Sequence, residues 1–152
     1  MQRLLTAFLA ACIAAAPVLA GALTLQVDDP KTNPEAIAKH AVVAAHITAC
    51  HSPEKTSVTA TAEGIVDGQR RSIPLKVIRL SEPGAFAVTH EWPREGKWTV
   101  KMIATNPDYK DYATSIVVPV GKDAVDPAAA KVFYHAASAD EVGMVLKQAT
   151  LE

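Results

Sequence analysis

The residues best equipped for chemistry in this chain are its histidines and cysteines, and four of them crowd one stretch: His40, His46, Cys50 and His51. A thiolate beside imidazoles suits copper or zinc. Strand geometry restricts the set. His46 and Cys50 stand four residues apart, which is about 13 Å along an extended chain at roughly 3.3 Å per residue. One ion bridges that gap only if the strand ends early. Cys50 and His51 are neighbours and point to opposite faces if extended. Folded into the turn before Pro53, they can share an ion with a remote ligand such as His90. No Cys-x-x-Cys or His-x-His pair completes a ligand set. The metal reading therefore rests on Cys50 and His51, and its alternative is a scatter of surface histidines.

Cys50 also admits thiol chemistry if a cation such as His51 or Lys55 lowers its pKa. A thiol hydrolase would need cysteine, histidine and an orienting acid or amide in one cleft. A redox enzyme would want a second cysteine, and Cys12 sits in a leader. Residues 1–22 read MQRLLTAFLAACIAAAPVLAGA. Arg3, an uncharged apolar run, Pro17, and small residues at Val18, Ala20 and Ala22 follow in signal-peptide order, with a cut after Ala20 or Ala22. The apolar run falls short of the roughly 20 residues a membrane span requires. Leu9-Ala-Ala-Cys12 offers lipidation as a minor alternative, against which the chain stays apolar after Cys12. With the leader removed, Cys50 stands alone and no internal disulfide can form. It is then buried and inert, free, or bridged to a second copy in a disulfide-linked dimer.

Other chemistry is sparse. There is no Gly-rich phosphate loop and no Gly-x-Ser-x-Gly elbow. Asp108 and Asp111 are too few for a calcium loop. Trp98 belongs to a core by its alternation, and Trp92 shares the inward parity of Phe86 and Val88. Tyr109 and Tyr112 fall in a loop, where sandwich proteins keep their binding surfaces. They form a candidate binding patch, with ordinary loop tyrosines as the alternative.

The elements that must position these residues are mostly strands. The chain has 152 residues, 49% hydrophobic and 20% charged, with a formal net charge of −1. That is enough apolar material for one ordered domain. The charge gives no basic face for nucleic acid. Alternation predicts strands over 23–27, 41–49, 56–66, 69–80, 85–92, 97–105 and 112–120, about seven in all. In the second, Ala41, Val43, Ala45, Ile47 and Ala49 form the core face. Asp67-Gly68 is a two-residue hairpin turn. Pro74 makes its strand an edge or a bulge. Asn33-Pro-Glu35 starts one helical turn. In the tail, 128–133 reads as short helix. Ser138-Ala-Asp-Glu141 is a capping box, followed by Val142, Val145, Leu146 and Ala149 on one helical face.

Glu82-Pro-Gly-Ala-Phe86 and Trp92-Pro-Arg-Glu-Gly-Lys-Trp98-Thr-Val100 resemble the strand–turn–strand stretch of bacterial immunoglobulin-like and fibronectin-type-III-like domains. The paired cysteines and tyrosine corner of antibody domains are missing. The resemblance implies a sandwich and a non-catalytic role, and carries no site residues across. The expectation is thus an exported protein, periplasmic or secreted. Residues 1–22 are the leader, 23–122 an all-β, immunoglobulin-like antiparallel sandwich, and 123–152 a helical tail. Its expected role is a non-enzymatic binding or interaction module for a protein or small-molecule ligand, with no cofactor and no membrane span after cleavage. The alternatives are a copper- or zinc-binding accessory protein using Cys50 and His51, and a thiol enzyme built on Cys50.

Overall fold

The computed structural model describes residues 23–48, 50–121 and 124–148. The predicted leader, residues 1–22, and two predicted core positions, Ala49 and Ala149, lie outside the described residues. Alternating apolar and polar side chains build β1 (Thr24–Asp28), β2 (Ala41–Thr48), β3 (Ser57–Val66), β4 (Gln69–Leu75) and β5 (Val77–Arg79). They are followed by β6 (Ala85–Thr89), β7 (Lys97–Thr105), β8 (Ala113–Pro119) and β9 (Lys131–Phe133). One sheet has the order β1-β2-β6-β5 and the other β4-β3-β7-β8-β9, with every pair antiparallel. Lettered in chain order as A, B, C, C′, D, E, F and G, the first eight strands read ABED and C′CFG. That is the strand order of an immunoglobulin-like sandwich.

The core lies between the sheets. Val43, Ala45 and Ile47 of β2 face Val100, Met102 and Ala104 of β7 across it, in one buried cluster. Register locks these rows: Met102 sits between Ala60 of β3 and Ile116 of β8. A one-residue slip would turn every one of these side chains outward. The β3–β4 hairpin turns at Asp67 (φ 51°) and Gly68 (φ 74°). Both positive angles mark the mirror-image turn that suits the twist of a hairpin.

Two predicted elements differ from the structure. The strand over 69–80 is two strands in different sheets, β4 and β5, joined at Lys76. Pro74 has no N–H for a ladder, and β4 is accordingly an edge. Ile73, Leu75 and Val77 keep one parity through the crossing because both sheets turn their inner faces to the same core. Alternation alone therefore does not reveal the change of sheet. The predicted helix over 128–133 is a 3-10 turn, Pro127–Ala129, followed by β9. Asp126 caps the turn by accepting from Ala128 N at 3.0 Å. The exposed edge of β8 then captures the next residues, pairing Val132 with Ile116 and Phe133 with Ser115. These two changes raise the strand count to nine among the described residues.

Two short helices cover outer faces. In α1 (Pro34–Ala38), the Asn33 side chain accepts from Glu35 N and Ala36 N at 2.9 and 3.1 Å. Ala36 packs there with Ala44, Leu80, Ala85 and Ala87. In α2 (Ala139–Gln148), the predicted capping box is present. Ser138 N donates to Glu141 Oε2 at 2.8 Å and Glu141 N donates to Ser138 Oγ at 3.3 Å. Val142 and Val145 dock on Val117 and Ala137, and Leu146 is buried on the same face. Isolated, a helix of this length would be marginal; the sheet supplies its stability. Arg70 of β4 donates to the Ala139 carbonyl at 2.9 Å, fixing its start.

Two predictions follow from this packing. A Cβ on Gly64 would meet Trp98 Cε3 at 2.3 Å and the Lys97 carbonyl at 2.7 Å. Trp98 is held by its Nε1–H, which donates to the Glu95 carbonyl at 2.8 Å. Gly64→Ala should therefore lower stability by about 1–3 kcal/mol, the usual range for overpacking, in urea unfolding followed by tryptophan fluorescence. The Glu141 carboxyl is held below its ordinary pKa, first by the Ser138 N–H, then by the Ser138 hydroxyl and His135. Such a group stabilises the fold above its unfolded pKa and loses that contribution as pH falls through the folded one. Amide protection in α2 should fall on acidification below about pH 4.3, the unperturbed glutamate value. Glu141→Gln should remove that acid dependence and begin from lower protection at pH 7.

Candidate functional site

Antiparallel register decides which loops share an end. Ser57 pairs with Thr105 and Thr105 with Ala113, so the β2–β3 and β7–β8 connections emerge side by side. The turn between β5 and β6 joins them: Ile47 N donates to the Gly84 carbonyl at 2.9 Å, and a Cβ on Gly84 would meet Pro53 Cβ at 2.8 Å. Arg79 completes the frame. Its guanidinium donates to the Glu54 carbonyl at 3.1 Å and the Thr56 carbonyl at 2.6 Å, and it lies 5.0 Å from the Phe86 ring centroid.

At the centre of this end is Asn106, 2% exposed. Its Nδ2 donates to the Ser52 carbonyl at 2.9 Å and to Thr56 Oγ1 at 3.0 Å, with Cys50 Sγ a longer third neighbour at 3.4 Å. Its Oδ1 accepts from Asp108 N at 2.9 Å. One buried amide thus binds the β2–β3 loop to the β7–β8 loop. Outside it, Lys55 Nζ reaches both carboxylate oxygens of Asp108, at 2.8 and 3.2 Å. This hydrogen bond raises the Lys55 pKa and lowers that of Asp108. The pair is exposed, so the weight of the junction rests on Asn106.

The structure brings the two sequence-derived candidate sites to this same end. Cys50 is half-buried and packs on the main core beside Asn106, while His51 is exposed. Tyr109 is half-buried and Tyr112 is 66% exposed. Tandem turns set the two tyrosines, with Tyr109 N donating to the Asn106 carbonyl and Tyr112 N to the Tyr109 carbonyl.

The other histidines disperse. His46 points out from β2 and its Nδ1 is bonded to Asp28. His40 precedes β2, and His90 lies tilted against Trp92, with ring centroids 4.3 Å apart and planes at 59°. Both lie at the opposite end of the sandwich, because Ala41 pairs with Thr89. An ion shared by Cys50, His51 and His90 is therefore excluded by topology. Among the described residues, no three His, Cys, Asp or Glu side chains gather closely enough to hold a metal ion. That opposite end has a cleft of about 290 Å³ lined by Trp92, Arg94 and Trp98 on one side and by Val120, Gly121, Ala124 and Val125 on the other. It takes in none of the candidate residues except His90.

Sequence reading missed Asn106 as an organising residue. The available signal was its place in Asn106-Pro107-Asp108, where Asn with a Pro–Asp sequel marks an Asx-type turn. Its contacts across the fold had no such signal. Compared with protein-family models, with curated proteins and with solved structures, the chain matches none.

Replacing Asn106 tests the junction. Asn106→Leu keeps the branched shape and leaves Thr56 Oγ1, the Ser52 carbonyl and Asp108 N without this partner. Of these only Thr56 is fully buried, and orphaning a buried hydroxyl costs about 1–3 kcal/mol, so the urea midpoint should fall. The native-state alkylation rate of Cys50 should rise at least about tenfold, as expected for opening made easier by 1.4 kcal/mol or more.

Proposed function

We propose that this protein is an exported, non-enzymatic binding module, and that it engages its partner with the loop end that carries His51, Tyr109 and Tyr112. The observation that carries this reading is the Asn106 junction. It ties two loops together while Tyr112 stands 66% exposed on one and His51 is exposed on the other.

Loops fixed before binding lose little conformational entropy on association, so more of the contact energy appears as affinity. Tyrosine supplies large amphipathic area with few rotors, and it is enriched at protein interfaces. Immunoglobulin-type sandwiches use the loops that join B to C and F to G in this way, and the described residues of those connections here are 50–56 and 106–112. A side chain as exposed as Tyr112 suits the surface of a protein partner better than an enclosed small-molecule pocket, whose ligands are mostly buried. The leader of residues 1–22 supports the periplasm or the medium as the place of encounter.

Site-resolved photocrosslinking tests the reading in cells that make the protein. A photoreactive amino acid at position 112 or 51 should yield a discrete adduct. The same residue at Ile65, 37% exposed at the opposite end, should yield none. Adducts of equal strength from position 65, or none from 112 and 51, would contradict the assignment.

A further inference from the structure

Antiparallel ladders point the main-chain groups of successive residues alternately to the two neighbouring strands. Val120 N donates to the Trp98 carbonyl at 3.0 Å, and the Pro119 carbonyl accepts from Asp126 N, on the other side, at 2.9 Å. Even-numbered residues of β8 therefore face β7. Ser115 and Val117 face β9, where they pair with Phe133 and Lys131. The residue between those two, Val132, turns its N–H and C=O away from β8, to the open edge of the five-stranded sheet. Ala130 is already extended (φ −61°, ψ 141°), and its N–H donates to the Pro127 carbonyl.

The side chains at this edge are as open as its backbone. Val132 pairs with Ile116 and shares its face, yet Ile116 is 3% exposed and Val132 42%. The facing sheet ends at β1, and the Leu23 carbonyl just ahead of β1 accepts from the Thr114 hydroxyl of β8. β9 thus stands one strand beyond the facing sheet. Tyr134, directly after it, is 65% exposed. The other sheet edges are guarded in the usual ways. Pro74 lies in β4, β5 is bracketed by Lys76 and Arg79, and β1 runs into Asp28-Asp29-Pro30. β9 has Lys131 alone.

We infer that β9 pairs antiparallel with β9 of a second copy about a two-fold axis at Val132, joining the two five-stranded sheets into one. Such a contact must be self-complementary, and this edge is. Val132 exchanges two main-chain hydrogen bonds with its equivalent, and the two valine side chains lie together on the overhanging face. In that register Lys131 falls opposite Phe133 of the second copy. Lys131 forms no ion pair among the described residues. The Phe133 ring lies 5.9 Å from that of His135, whose Nε2 is bonded to Glu141 at 2.9 Å. Each ammonium therefore meets an aromatic ring with a carboxylate nearby, an attractive arrangement made twice per interface. A two-fold centred on Phe133 would instead set Lys131 against His135. The dimer needs no Cys50 bridge, and its two loop ends point in opposite directions.

Sedimentation velocity under reductant should show a dimer fraction that rises between about 10 μM and 1 mM, the weak range expected of a contact this small. Val132→Pro should stay monomeric with an unchanged urea midpoint, because the lost N–H makes no bond to β8 and edge positions accept proline. Val132→Cys in a Cys50→Ser background sets the two Cα atoms about 5.5 Å apart across the axis, inside the disulfide range. Oxidised glutathione should link those copies at least about tenfold faster than copies of Ile37→Cys in the same background, since pairing raises the local thiol concentration. Ile37 is 53% exposed on α1 and serves as the control. A monomer at every concentration, a dimer that Val132→Pro leaves intact, or equal crosslinking from both positions overturns the inference. Should Val132→Pro lower the urea midpoint, the crosslinking rates decide.

Discussion

The loop end of this sandwich depends on one buried side-chain amide. Asn106 presents an N–H pair and a carbonyl in a fixed plane, and the surrounding loops are arranged to meet it. A buried amide without partners costs several kcal/mol, whereas a satisfied one adds only modest net stability. The consequence is specificity more than strength. Loop arrangements that fail to offer Ser52, Thr56 and Asp108 to Asn106 are penalised, and the observed one is selected. The cost of misplacing the amide is what makes two irregular segments behave as one surface.

The body of the fold depends on two-sided burial. The five-stranded sheet faces the core on one side and α2 on the other, so Thr99, Ser115 and Val117 are as buried as the inward residues between them. Ser115 resolves the resulting polar problem: its hydroxyl donates to the His135 carbonyl and accepts from Ala137 N, tying the approach to α2 onto β8. The four-stranded sheet is covered more lightly, by α1 over a patch of alanines. Small residues are required there because the helix is a little over one turn long and lies close.

Much of this was legible in the sequence where local chemistry and global fold agree. Alternation placed β2, β3 and β7 with their inward faces, because one face of each meets a core. Asp67-Gly68 fixed a hairpin, and Ser138 with Glu141 fixed a helix start, because in each case the partners lie within a few residues. Legibility failed where a decision was made by distant chain. The change of sheet at Lys76 leaves parity intact, and β9 forms because β8 offers it an edge, overriding an alanine-rich local preference for helix. The candidate site shows the same division. Tyr109, Tyr112, Cys50 and His51 were visible by type, but their convergence on one end needed the register of three strands. Local crowding of His40, His46 and Cys50 was misleading, since an extended β2 carries them to different ends and faces.

The central claim, that Asn106 makes the loop end a preformed surface, is tested most directly by backbone ¹⁵N relaxation of the loops 50–56 and 106–112. The account predicts order parameters there near about 0.85, the level of rigid backbone such as the flanking strands. Values below about 0.6 in both loops, with the strands rigid, would show that the amide junction does not hold and would contradict it.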